Sequence, residues 1–147
     1  MSSIRSYPVA VSPKLSVLIV EDDPSHALLL QMLFAEEGMQ TSVCVDGSQA
    51  YDVISASRPD LVILDLLLPG RDGMDVLARL KGDPHTARIP ILVCTAADTL
   101  LRKAASVFEL WSCPVISKPF DVDVLNAMVR RLLAGAQPSN MVVSPSA

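Results

Sequence analysis

The sequence predicts an α/β fold, a parallel sheet with helices on both faces, and three observations predict it. Short apolar runs recur at Leu15 to Val20, Met39 to Val45, Leu61 to Leu64, Ile89 to Cys94 and Val115 to Ser117. Segments of helical period separate them. The links are short and rich in Asp, Gly and Pro. An unbroken apolar run suits a strand buried on both faces, and strands alternating with helices form a parallel sheet.

Each element has its own justification. Residues 1–13, rich in Ser and Pro, are expected to be a flexible N-terminal arm. The first strand ends in Glu21-Asp22-Asp23, and Asp23 before Pro24 is a natural helix cap. That helix is expected to run to about Glu37, with Leu29, Leu30, Leu33 and Phe34 on its inner face and Gly38 as its stop. After the second strand, Asp46-Gly47 turns the chain into a helix of about Ser48 to Ser57, ended by Arg58-Pro59. The third strand runs into Asp65, and Pro69, Gly70 and Gly73 mark a loop. Met74, Leu77 and Leu80 mark a short helix ending near Gly82. Asp98 opens a fourth helix, with Leu101, Ala105 and Phe108 facing inward. Asp121 caps the fifth, whose buried face is Leu125, Met128, Val129 and Leu132. Arg130 and Arg131 favour its negative end, and Gly135 stops it. Residues 14–135 form the expected domain, and residues 136–147 are expected to be a disordered tail.

Composition excludes several classes. Half of the 147 residues are hydrophobic and 19% are charged, a globular balance for one domain. The net charge of −4, with no Lys/Arg cluster, argues against direct nucleic-acid binding. Cys44, Cys94 and Cys113 are an odd number without CxxC spacing, which disfavours a disulfide framework or zinc site and suits a reducing cytoplasm. No apolar run reaches the roughly 18 residues of a membrane span, so no membrane insertion is expected. His26 and His85 have no Ser or Cys arrangement to serve and read as surface residues.

The chemistry lies where the strands end. Glu21-Asp22, Asp65, Thr95-Ala96 and Lys118-Pro119 all follow strands of one parallel sheet, and so share its carboxyl edge, where ligands bind in open α/β folds. Converging carboxylates repel one another and call for a hard cation; Mg²⁺ takes oxygen ligands and often binds carboxylates together with a phosphate. Lys118 adds an ammonium, Thr95 a hydroxyl and Ala96 a backbone N–H. The nucleophile in such a pocket is a carboxylate, which can form an acyl phosphate. Each feature alone has an ordinary reading: a solvated helix start, a strand end, a surface lysine. Their occurrence at four ends of one edge makes the ordinary readings improbable together.

Four motifs in order, Val20-Glu21-Asp22-Asp23-Pro24, Leu64-Asp65 through Gly73, Ile89 through Ala96, and Ser117-Lys118-Pro119-Phe120, make residues 14–134 resemble the receiver domain of two-component response regulators. The resemblance implies a three-layer flavodoxin-like fold of five strands in order 2-1-3-4-5. It implies that Asp65 accepts a phosphoryl group from a sensor histidine kinase or histidine phosphotransfer protein. Asp22 and Asp65 would bind Mg²⁺ directly, Glu21 through water, and the Leu67 carbonyl would be a further ligand. Thr95, Ala96 and Lys118 would hold the phosphoryl oxygens, and the Lys118–Pro119 bond would be cis. The chain would be a signalling domain rather than an enzyme, catalysing only its own phosphoryl transfer and dephosphorylation.

Three departures from the family pattern carry expectations. Val115 stands where the family usually has an aromatic switch, and Trp111-Ser112 where it usually has Gly-Ala. The face of helix 4, strand 5 and helix 5 would then signal through packing around Val115 and Trp111. Leu67 and Ala97 are apolar where polar side chains can orient attacking water, so the phosphoryl group should be long-lived. After residue 135 there is neither a helix-turn-helix nor a basic patch, so output is expected through a downstream protein target, unless the chain is cut from a larger one. Two alternatives stand beside this reading. One is a receiver-like interaction module that acts without phosphorylation. The other is a flavin or phosphatase enzyme, which Glu21-Asp22-Asp23 disfavours because it would repel a flavin phosphate.

Overall fold

The computed structural model describes residues 14–135. The expected N-terminal arm and C-terminal tail lie outside the described residues. The elements are β1 (Ser16–Val20), α1 (Pro24–Glu36), β2 (Gln40–Cys44), α2 (Gly47–Ser57), β3 (Leu61–Leu64), α3 (Gly73–Gly82), β4 (Ile91–Thr95), α4 (Asp98–Lys103), α5 (Ala105–Leu110), β5 (Val115–Ser117) and α6 (Val122–Leu133). All strand pairs are parallel, in the order β2-β1-β3-β4-β5. The expected fold is the observed one.

The sheet divides the core in two. Leu18, Val20, Val62 and Leu64 point to the side covered by Ile54 of α2, Leu77 and Leu80 of α3 and Phe108 of α5. Val17, Ile19, Leu61 and Ile63 point to the other, covered by Leu30 and Phe34 of α1 and Leu125, Met128, Val129 and Leu132 of α6. The period of two along buried strands thus feeds both cores, which explains why these runs show no polar alternation. Aspartates start four of the helices: Asp23, Asp46, Asp72 and Asp121 each accept a backbone N–H of the first turn. Gly38 and Gly135 follow α1 and α6 with φ of 78° and 72°, the left-handed stop that glycine adopts without strain.

Several expectations need correction. Leu29 is 44% exposed, and Leu28 and Met32 are exposed beside it. The α1 sequence is apolar around its whole circumference, so its period cannot say which leucines turn inward. The single fourth helix is two six-residue helices meeting at Ala104. Ala104 at the break is buried, and Ala105, expected to face inward, is exposed. Asp98 does open the first of the two helices, and Ala97 at the cap position has no side-chain oxygen to offer. Strand β4 begins at Ile91, since Pro90 has no N–H for the ladder; its carbonyl still accepts from Val62 N at 3.0 Å.

Candidate functional site

The sheet register builds the site. Val20 pairs with Leu64, so β1 and β3 finish level, while Leu64 pairs with Val93 and Thr95 with Ser117, so β4 and β5 run two residues further. The backbone continues in step beyond them: Asp65 N donates to Val20 O at 3.0 Å, and Lys118 N to Thr95 O at 3.0 Å. Glu21 and Asp65 therefore emerge side by side, and Lys118, which follows β5 two strands from Asp65, reaches them with its long side chain. The Lys118–Pro119 peptide is cis.

Lys118 Nζ donates to Glu21 Oε2 at 2.7 Å and to Asp65 Oδ2 at 3.0 Å. All three side chains are nearly buried. Each carboxylate has a second, local donor: Asp23 N to Glu21 Oε1 at 3.2 Å, and Leu67 N to Asp65 Oδ1 at 3.0 Å. Asp22 is exposed at the rim. Thr95 is fully buried, and its hydroxyl accepts the Ala97 N–H at 3.3 Å. Ala96 is exposed between them.

Burial and charge act in opposition here. Burial pushes the Glu21 carboxyl up; the bond from Lys118 opposes it, Asp65 adds to it, and the net shift is upward. Burial also presses the Asp65 carboxyl upward, but the Leu67 N–H, Lys118 and the Thr95 hydroxyl outweigh it, so Asp65 titrates below the ordinary carboxylate value. Burial pulls the Lys118 ammonium down, and its two carboxylates more than restore it. Asp65 is thus held as an anion beside a cation, while Glu21 is the less comfortable anion. Cys94, just below, has its thiol pushed up to about 12 by burial, which leaves it a neutral core residue. Cys44, Cys94 and Cys113 are all free and buried.

Glu21, Asp22 and Asp65 can each place one carboxylate oxygen within 4.8 Å of the others. Three hard oxygen donors at that spacing, one of them at an open rim, suit a small divalent ion such as Mg²⁺. The structure therefore brings together the acidic group, Lys118 and the Thr95 strand end that the sequence singles out. Val115 and Trp111 do not reach this group; both are half-buried and pack against the core on the α2–α3–α5 side. His26 and His85 are exposed.

One supporting feature escapes the sequence. The Asp46-Gly47 turn touches the β3–α3 loop: Gly47 N donates to Pro69 O at 3.3 Å, and Gly70 faces the Asp46 carboxylate. An Asp-Gly before a helix reads as a cap wherever it occurs, and nothing local signals a contact more than 20 residues along the chain.

Comparison with known proteins agrees with this geometry. The family model described as response regulator receiver domain matches residues 17–130. Sporulation initiation phosphotransferase F of Bacillus subtilis is 34% identical over 117 residues, covering 80% of this chain and 92% of that protein. The DNA-binding response regulator MtrA of Mycolicibacterium smegmatis is 39% identical over 117 residues, covering 80% of this chain and 50% of that protein. The chain thus spans about half the length of that DNA-binding relative. The BeF3-activated N-terminal receiver domain of Klebsiella pneumoniae RstA superposes with a TM-score of 0.70 at 32% identity, covering 80% of this chain and 97% of that one. Among the described residues no helix is long and apolar enough to cross a membrane.

Proposed function

This chain belongs to the response regulator receiver domain family of two-component systems, and on that premise we propose that it is a phosphoacceptor switch in which Asp65 takes a phosphoryl group from a histidine kinase or histidine phosphotransfer protein. The observation that carries this reading is the buried Asp65 carboxylate held as an anion between Lys118 and the Leu67 N–H. Asp65 Oδ attacks phosphorus, the P–N bond to the partner's histidine breaks, and its electron pair stays on the imidazole nitrogen. An acyl phosphate forms on Asp65. The nucleophile needs no deprotonation, so the protein's task is to align it and to neutralise the phosphoryl oxygens. Lys118 turns its ammonium from Asp65 toward the new oxygens. The Thr95 hydroxyl and the Ala96 N–H supply hydrogen bonds from the far side.

Glu21, Asp22, Asp65 and the Leu67 carbonyl would hold Mg²⁺. When bound, that ion supplies positive charge against the phosphoryl oxygens. The exposed Leu28, Leu29 and Met32 on α1 would give a protein donor an apolar surface, and Leu29 lines a groove together with Lys118 and Pro119. Output would pass through the face of α4–α5, β5 and α6, where Val115 and Trp111 pack, to a downstream protein. With Leu67 and Ala97 flanking the pocket, no side chain at those positions orients water, and the phosphoryl group persists.

The test is mass spectrometry after incubation with Mg²⁺ and acetyl phosphate. One phosphoryl group should appear on the wild-type chain, decay slowly, and be absent in Asp65→Asn. A folded wild-type chain that takes up none would leave the unphosphorylated interaction module as the reading.

A further inference from the structure

We propose that Gly47 is a positioning residue for the magnesium-binding pocket: its bare Cα at the start of α2 fixes the β3–α3 loop and, through it, the Leu67 backbone. This inference rests on the function proposed above. Gly47 is buried and is the first residue of α2. Its φ lies outside the left-handed region, so the position has no conformational need for glycine. The need is for room. A Cβ there would sit 2.9 Å from the Arg71 carbonyl oxygen and 3.4 Å from the Leu68 Cβ. The first of these is a backbone atom, which cannot swing aside as a side chain does.

Two further contacts define the same anchor. Gly47 N donates to Pro69 O at 3.3 Å. Gly70, with φ of 81°, passes so close to Asp46 that a Cβ would lie 2.5 Å from its Oδ1. That carboxylate cannot readily yield, because the Ser48 N–H and hydroxyl both hold it at 2.8 Å. The loop thus meets the Asp46-Gly47 turn at Leu68, Pro69, Gly70 and Arg71. Its far end is fixed as well: Gly73 N donates to Leu66 O at 3.2 Å, and a Cβ on Gly73 would fall 2.4 Å from the Leu66 Cα.

Leu67 lies between the two anchors and is 55% exposed. Its own packing therefore does little to place its backbone. Yet that backbone bears directly on the pocket: its N–H holds Asp65 Oδ1, and its carbonyl is the proposed fourth oxygen for Mg²⁺. An ion that demands near-octahedral geometry tolerates little displacement of a ligand. Space at Gly47 is converted into alignment of two groups on the pocket wall.

Titration calorimetry of the full chain with MgCl₂ tests this. Gly47→Ala should weaken Mg²⁺ binding about tenfold, the scale of lost support around metal ligands. Gly82→Ala is the control; a Cβ there meets nothing within 4 Å, and its Mg²⁺ affinity should equal wild type. A folded Gly47→Ala chain with wild-type affinity would overturn the proposal while leaving the function standing. No Mg²⁺ binding by the wild-type chain would overturn both. If Gly47→Ala does not fold, amide exchange on the wild-type chain decides: exchange at the Gly47 N–H should slow severalfold with Mg²⁺. An exchange rate indifferent to Mg²⁺ would overturn the inference.

Discussion

On the acidic wall of the pocket, at the ends of β1, β3 and β5, every charged group that points inward has its partners fixed by the sheet: Lys118 bonds Glu21 and Asp65, and the Asp23 and Leu67 N–H groups hold the same carboxylates from behind. Between β3 and β5, β4 ends in a buried Thr95 and leads into a second wall, α4 and α5, two six-residue helices. Helices this short do not sustain themselves, and depend on what they bury. Among the described residues α4 buries none of its side chains, and α5 buries only Phe108. The contrast teaches that specific hydrogen bonds hold the acidic wall while little burial holds the α4–α5 wall, so the two should respond differently to a charge change in the pocket.

The largest expected effect breaks the acidic wall. Lys118→Met leaves Glu21 and Asp65 facing each other without a cation. In EDTA the chain should lose about 3 kcal/mol in urea denaturation, as when one partner of a buried pair is removed. Magnesium should recover part of that loss, because the ion takes over the missing positive charge. A loss that Mg²⁺ leaves unchanged would mean that Lys118 acts by packing alone.

This wall was also the legible part. An apolar run ending in an acid or a lysine marks a strand end from sequence, and a parallel sheet collects such ends on one edge. Glu21, Asp65 and Lys118 could be placed together on that rule. The α4–α5 wall was not legible beyond Thr95, where it begins. From Asp98 to Leu110 the residues run Leu, Leu, Ala, Ala, Val and Phe among charges, a pattern one continuous helix fits as well as two. Nothing at Ala104 announces a break, since alanine favours neither a turn nor a cap. The α1 face failed for a related reason: with Leu28, Leu29, Leu30, Met32 and Leu33 in near succession, tertiary packing alone selects Leu30 and Phe34. The role of Gly47 lay beyond any local pattern, because its partners at Leu68 to Arg71 are remote in the chain.

A second experiment probes the α4–α5 wall. Trp111 ends α5 and is half-buried against the core, just before Ser112 with φ of 52°. Trp111→Ala should cost about 2 kcal/mol, below the figure for a fully buried indole. The sharper readout is amide exchange. Residues 98–110 should exchange markedly faster while β1 and β3 keep their protection, since Val17, Ile19, Leu61 and Ile63 of those strands are buried in the other core, away from the indole. Uniform acceleration across the sheet would erase the distinction between the walls. Unchanged affinity of phosphorylated Trp111→Ala for its output partner would remove this residue from the signalling face.

The smallest effect separates the two carboxylates within the acidic wall. Asp65 titrates below its ordinary value of 3.8, so it contributes stability that is present above 3.8 and lost as the pH falls through its lowered folded value. Glu21 has the opposite sign. Its folded value is raised above 4.5, chiefly by burial, so its contribution is full below 4.5 and is lost as the pH rises through the folded value. In that upper window the folded chain binds more protons than the unfolded chain, and stability must decline with pH. Glu21→Gln cannot titrate. Its stability relative to wild type, measured by urea denaturation in EDTA from pH 4 upward, should therefore rise with pH through that window and then level off. The effect is small because Lys118 already offsets much of what burial imposes. A difference that stays flat or falls with pH would show that Glu21 is as settled an anion as Asp65, and the strain in the acidic wall would have to lie elsewhere.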